Sequence, residues 1–355
     1  MTTSNQTFQL THNCNGSYPS KTVQIATYVV LMLCSFIGNM LIVGVFYRNK
    51  LLKTPVHYFI VNMAVADLII SVVVIPWGIV VEYYNSRWPL DGIIGTFICK
   101  LYFPAWGVSV AVSILTMVAI AVDRFHAVLF AMQPALITRK RCRLIITLIW
   151  IIALLFRVHY FYAVKLVQNS EGLFCKFEWN PDSYTQEALK IEWILFLIMS
   201  TVAALALTVL YSSTIGFLYQ QQNDVQLASV TMKRRAKENR NVTCMLLSVV
   251  IIFYVVWTPH QIESLKHFLE PNEKVSCFFL WFGAYVLALL YPVLNPVVYY
   301  TFNEKYRQGF KEILCCRWIP RKNCCHQSKS STSRQKKKTE ESMPFQETCL
   351  TYNSA

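Results

Sequence analysis

The sequence predicts an all-α membrane protein, a seven-transmembrane helix bundle followed by a short amphipathic helix on the inner surface. Three observations carry this. Hydrophobic residues make up 55% of the chain and charged residues only 15%, against about 25% charged in soluble domains. The apolar residues are gathered into blocks long enough to cross about 30 Å of hydrocarbon at 1.5 Å per residue. The basic residues between the blocks fall mostly on alternate sides.

The blocks run Val23–Tyr47, Val56–Tyr83, Phe97–Phe130, Cys142–Val164, Ala188–Tyr219, Val242–Phe268 and Val275–Phe302. The third is longer than a perpendicular crossing needs, so it is expected to be tilted and central. The sixth carries Pro259 and the seventh Pro292 and Pro296. A kink rather than a break is expected there, because neighbours and water re-satisfy the carbonyls that a proline frees. The organisation is then an extracellular segment, 1–22; the bundle, 23–302; the amphipathic helix, 303–316; and a disordered cytoplasmic tail, 317–355. The polar stretch before Val23 holds no short apolar core with a cleavage site, so the first block is expected to act as its own insertion signal.

Orientation follows from Lys and Arg. With the amino terminus outside, the inner segments hold Arg48, Lys50, Lys53, Arg139, Lys140, Arg141, Arg143, Lys233, Arg234, Arg235, Lys237 and Arg240, with eleven more beyond Asn303. The outer segments hold Lys21, Arg87, Lys165, Lys176, Lys190, Lys266 and Lys274. The net charge of +14 therefore faces anionic lipid of the inner leaflet, and nucleic acid is excluded as its partner. This topology puts the sequons at Asn5 and Asn15 outside, where both are glycosylation candidates. It also places Cys14, Cys99, Cys175 and Cys277 in an oxidising compartment. A Cys99–Cys175 bridge would tie the loop after the fourth block over the bundle mouth, with Cys14–Cys277 as a second pair. The other pairings stay open at this level.

Beyond the seventh block, Tyr306, Phe310, Ile313 and Leu314 recur at helical spacing with charges between them, as in an interfacial helix. Cys315-Cys316 closes it and is a palmitoylation candidate. The tail is polar and basic, with Ser328, Ser330, Ser331, Thr332 and Ser333 as candidate phosphorylation sites.

The polar residues inside the blocks form a pattern: Gly38-Asn39 in the first, Asn62 and Asp67 in the second, Asp123-Arg124-Phe125 ending the third, Trp150 in the fourth, Tyr211 in the fifth, Phe253, Trp257 and Pro259 in the sixth, and Asn295-Pro296-Val297-Val298-Tyr299 closing the seventh. An acid beside a base at a helix end is by itself a simple boundary marker, since a charge in the membrane needs a partner or water. The whole set, in this order, resembles the rhodopsin-like (class A) G-protein-coupled receptors, over roughly 23–316, and within them the neuropeptide-receptor branch. The resemblance implies that Arg124, paired with Asp123 at rest, is released on activation towards Tyr211 and a heterotrimeric G protein. It implies an aromatic relay of Phe253 and Trp257, with Ile114 beside them, below a ligand pocket. It further implies a sodium-coordinating role for Asp67, with Ser113 and Asn295 near it, and a receptor kinase and arrestin as further partners. The chain departs from the family pattern at Phe125, Ala131 and Ala203, and carries Tyr291 and Pro292 where sodium ligands are usual.

The expected ligand is an extracellular peptide. Trp106 stands where amine receptors carry an acid, and Leu289 where opsins carry a lysine. The mouth residues Glu82, Trp106, Glu178, His260, Gln261 and Tyr285 combine acids with aromatic faces, which suits a basic peptide with an apolar end. A lipid or other small molecule is the alternative ligand. A seven-helix ion transporter would need a chain of intramembrane acids, and only Asp67 is deeply placed. No nucleophile–base set, carboxylate pair or phosphate loop occurs in a catalytic setting, so no enzyme is expected.

Overall fold

The computed structural model describes residues 19–130, 133–178, 183–224, 230–269 and 278–316. Asn5, Cys14, Asn15, Ala131, Met132, Cys277 and the tail from 317 lie outside them. Among the described residues, seven helices are long and apolar enough to span a membrane: Lys21–Arg48, Pro55–Tyr84, Gly92–Leu129, Arg139–Ala163, Ile191–Gln220, Asn239–Lys266 and Phe282–Phe302. Each overlaps the block expected from the sequence.

The first span starts behind an N-cap: Ser20 Oγ accepts the Val23 N–H at 3.3 Å. The second changes winding at Ile70–Val74, where five residues adopt the wider π turn just before Pro76. A proline removes one backbone donor and crowds the carbonyl four residues back, and a wide turn relieves both.

The third span begins at Gly92, not at Phe97, because the Asp91 carboxylate accepts the Gly92 N–H at 2.6 Å and caps the helix there. Cys99 therefore lies inside the helix rather than at its opening. The fourth helix ends at Phe156 instead of continuing to Val164. Arg157 and His159 take polar partners on the fifth span, a short helix covers Tyr160–Ala163, and Val164 opens a strand. The fifth and sixth helices outrun their blocks, at Ser183–Asp224 and Val230–Leu269. Good helix formers such as Gln, Lys, Arg and Glu carry the winding past the apolar stretch.

A β-hairpin follows the fourth span and packs against the third. Strands β1 (Val164–Asn169) and β2 (Gly172–Phe177) pair antiparallel, with Leu166 opposite Cys175. Asn169 Oδ1 accepts the N–H groups of Glu171 and Gly172 at 2.9 and 3.0 Å, and Gly172 takes φ 141° to close the turn. The Cys99–Cys175 disulfide fastens β2 to the third span with its Cα atoms 5.8 Å apart. Trp88, Tyr160, Val164 and Leu173 pack around it.

Prolines of the seventh span are accommodated by the first. Pro296 has no N–H to give the carbonyl of Pro292, and Asn39 Nδ2 donates to that carbonyl at 2.9 Å. Gly38 is what admits the Pro296 ring: a Cβ there would stand 2.7 Å from Pro296 Cγ. Adjacent residues of one helix thus receive the ring and satisfy the group it orphans.

Candidate functional site

Two polar centres and an aromatic column between them make up the site. Towards one end of the bundle the third span places Trp106 among Tyr285, Trp257 and His260, with ring centroids 5.3, 5.1 and 6.0 Å away. The Trp106–Tyr285 pair is stacked within 16°. These rings come from three helices, so the cluster is a wall shared by the third, sixth and seventh spans.

Glu82 is half-buried at the outer end of the second span, within electrostatic reach of Tyr28 and Tyr285. It therefore belongs to the same mouth. Gln261 turns to the fifth span, where its Nε2 lies 3.5 Å from Ser200 Oγ. Glu178 follows β2, and its backbone N–H donates to the Ala163 carbonyl at 2.8 Å.

Below the wall, Trp257 stacks on Phe253 at 5.8 Å, and Phe253 meets Tyr291 edge-on at 4.9 Å. Phe253, Tyr291 and Ile114 are all fully buried. The column then reaches Asp67, which is 0% exposed and accepts from Asn295 Nδ2 at 2.8 Å on one oxygen. Its other oxygen, Oδ1, has no partner among the described residues. Ser113 is buried beside this centre, and the Tyr291 hydroxyl approaches Ser113 and Asn295 without making a hydrogen bond of ordinary geometry. Polar links run on to the first span: Ser71 Oγ donates to the Asp67 carbonyl at 2.9 Å, Ser35 and Ser71 share a 2.7 Å bond, and Asn39 donates to the Ser35 carbonyl.

At the opposite end of the third span Arg124 is held by its neighbour, with Nη2 2.5 Å and Nε 3.2 Å from Asp123 Oδ2. Tyr211 is buried within electrostatic reach of the guanidinium. Tyr299 lies within the same reach of Tyr211 and Tyr291, and its ring is 5.9 Å from that of Tyr306. Asn62 donates to Thr116 and accepts from Trp150 Nε1 at 2.8 Å, fixing the second span against the third and fourth.

Two groups of residues have surroundings that the sequence did not point to, although Tyr306 was expected on the apolar face of the last helix. Tyr306 is fully buried, edge-on to His57 at 5.5 Å, and its hydroxyl has no partner among the described residues. Burial alone pushes its hydroxyl pKa well above the usual tyrosine range. The second group is a polar cluster of Arg157, His159, Tyr160 and Glu192 where the end of the fourth span meets the start of the fifth. Its signal was Arg157 itself, a base inside an apolar block that must find an acid on a neighbouring helix.

Comparison with known proteins agrees with this arrangement. The family model described as "7 transmembrane receptor (rhodopsin family)" matches residues 38–299. A QRFP-like peptide receptor of Branchiostoma floridae is 28% identical over 311 residues, covering 84% of this chain and 79% of that protein. Neuropeptide FF receptor 2 of Rattus norvegicus is 28% identical, covering 82% of this chain and 72% of its own. The substance-P receptor of Cavia porcellus is 26% identical, with coverages of 86% and 76%. With seven spans in order, an aromatic column running from the Trp106 wall to the Asp67 centre, a paired Asp123–Arg124 beyond it, and a family model over most of its length, the chain belongs to the rhodopsin family of seven-transmembrane receptors.

Proposed function

We propose that this receptor sits in the plasma membrane with its amino terminus outside, binds an extracellular peptide at the Trp106 wall and activates a heterotrimeric G protein through Arg124. The observation that carries the reading is the unbroken column of rings from Trp106 through Trp257 and Phe253 to Tyr291. It joins the mouth to the Asp67 centre. The relatives support the ligand class, since their names are those of peptide receptors. The acid Glu82 supports a basic group on the peptide, through a charge-assisted bond beside aromatic faces.

Within the same reading Asp67 and Ser113 hold a sodium ion. The unpartnered Asp67 Oδ1 supports this, because a buried carboxylate oxygen needs a cation, a proton or water. Glycosylation at Asn5 and Asn15 and acylation at Cys315 and Cys316 also belong to it, as do a receptor kinase and arrestin acting on the tail.

The test is a peptide-library screen on cells expressing the chain, read by G-protein dissociation. A response that Arg124→Ala abolishes and Glu82→Gln weakens at least tenfold is expected. Activation by lipids or steroids with no peptide response would overturn the ligand class.

A further inference from the structure

One face of the β-hairpin carries charge that no described residue answers. Side chains of a strand alternate between its two faces. Val164, Leu166, Leu173, Cys175 and Phe177 pack around Trp88 and Cys99, so they form the face turned to the bundle. Lys165, Val167, Phe174 and Lys176 form the opposite face, and both lysines are exposed. Lys165 stands directly across the ladder from Lys176, and Val167 across from Phe174.

Opposed residues of an antiparallel pair have Cβ atoms about 5 Å apart, and like charges there repel. A single lysine on a solvated strand needs no explanation, but this pair weakens the hairpin that carries it. Neither lysine makes a side-chain ion pair among the described residues, and the adjacent acids Glu171 and Glu178 reach neither. A third cation lies along the same hairpin. The exposed Arg87 runs beside the turn, where a Cβ on Gly172 would stand 3.4 Å from its Cδ. It too has no ion pair among the described residues. From Gly172 to Lys176 the strand rises about 13 Å. Between them lies the half-buried Phe174, with Lys176 Nζ 5.1 Å from its ring centroid.

The partner that fits is anionic at repeated points, with a flat apolar ring face between them. A single carboxylate would neutralise one end only. Anionic lipid belongs to the cytoplasmic leaflet, across the membrane from the hairpin in the orientation proposed above. We propose that this face binds a sulfated polysaccharide of the cell surface, with sulfates on the Lys165–Lys176 pair and on Arg87 and a sugar ring against Phe174. A sulfate shared by the two ammonium groups turns their repulsion into two charge-assisted bonds. The proposal rests on that orientation and not on the identity of the activating ligand.

Intact cells that make no glycosaminoglycan of their own, expressing the full chain with a tag at its amino terminus, test it. The probe is a fluorescent heparin oligosaccharide. It does not cross the membrane, so the basic inner segments stay out of its reach. Binding in proportion to surface tag is expected, with a desulfated oligosaccharide at least about tenfold weaker, the size of one good charge-assisted bond. Lys165→Gln combined with Lys176→Gln should lower heparin binding at least about tenfold on the same ground. Lys176→Glu should lower it as far, and it replaces a repelling pair by an attracting one, so its loss of binding cannot be put down to an unfolded hairpin. No binding on tag-positive cells, binding that both variants retain, or polyglutamate of equal length competing as well as heparin overturns the polysaccharide face; the last outcome would give the face to an acidic protein. A tag stained only in permeabilised cells overturns the orientation and this face with it. The peptide screen succeeds or fails separately from all of these.

Discussion

Asn39 and Pro296 should be energetically coupled. Asn39→Ala removes the donor that reaches the Pro292 carbonyl at 2.9 Å, and with it the bond to the Ser35 carbonyl at 2.9 Å. Hydrogen bonds between membrane helices average about 0.6 kcal/mol and reach about 1.7, and orphaning a buried acceptor costs about 1–3 kcal/mol in soluble proteins. A loss of about 1.5 kcal/mol is expected, or about 2–4 °C in melting temperature. Pro296→Ala returns an N–H to the helix, which can then satisfy the Pro292 carbonyl from within. In that background Asn39→Ala should cost only the Ser35 bond, giving a coupling of about 1 kcal/mol in a double-mutant cycle. The assay is thermal unfolding of the four purified receptors in one detergent. If Asn39→Ala costs the same with and without Pro296, the carbonyl is not what Asn39 serves, and the account of the first and seventh spans is wrong.

Gly38→Ala should destabilise by about 1–3 kcal/mol through overpacking, since its Cβ would stand 2.7 Å from Pro296 Cγ; unchanged melting would show that the ring moves freely. Cys175→Ser, which frees a hairpin tied across a sequence separation of 76 residues, should cost about 2–4 kcal/mol and weaken peptide response more than surface expression, measured by flow cytometry beside signalling. Asp123→Asn should raise ligand-free G-protein signalling several-fold by loosening Arg124, and basal signalling equal to the parent at matched expression would count against the pair as a resting lock. Replacing sodium with N-methylglucamine should lower the melting temperature of the parent and leave Asp67→Asn unmoved; equal shifts in both would remove sodium from the Asp67 centre.

Apolar block length was enough to locate the spans, because the bilayer allows few other solutions for such stretches. Asn39, Asp67, Arg124 and Asn295 were readable for the complementary reason: a polar group at membrane depth has to be explained. Other features depended on contacts that a one-dimensional pattern does not contain. The run Val164-Lys165-Leu166-Val167 looks like the end of a span, and only its pairing with β2 and the bridge to Cys175 makes it a strand. Glu192 acquires a role only where the fourth span brings Arg157 beside it. Tyr306 and Phe310 were both expected on the apolar face of the last helix and both are buried, but the meeting of Tyr306 with Tyr299 and His57 is a contact that spacing alone does not contain.

The third span is one uninterrupted helix of 38 residues. Cys99 near its N-terminal end and Arg124 near its C-terminal end are about 38 Å apart along its axis, by the rise of 1.5 Å per residue. The first point is bolted to the hairpin by a covalent bond, and the second is held by a single carboxylate. Such a rod behaves as a lever. A tilt of about 5° around its middle moves each of these points by roughly 1.5 Å, enough to strain the contact between Arg124 and any group that does not move with it. Asp123 rides on the same rod and travels with Arg124, whereas Tyr211 and Tyr299 do not. A push on the hairpin would therefore change the surroundings of the guanidinium before it changed its nearest bond.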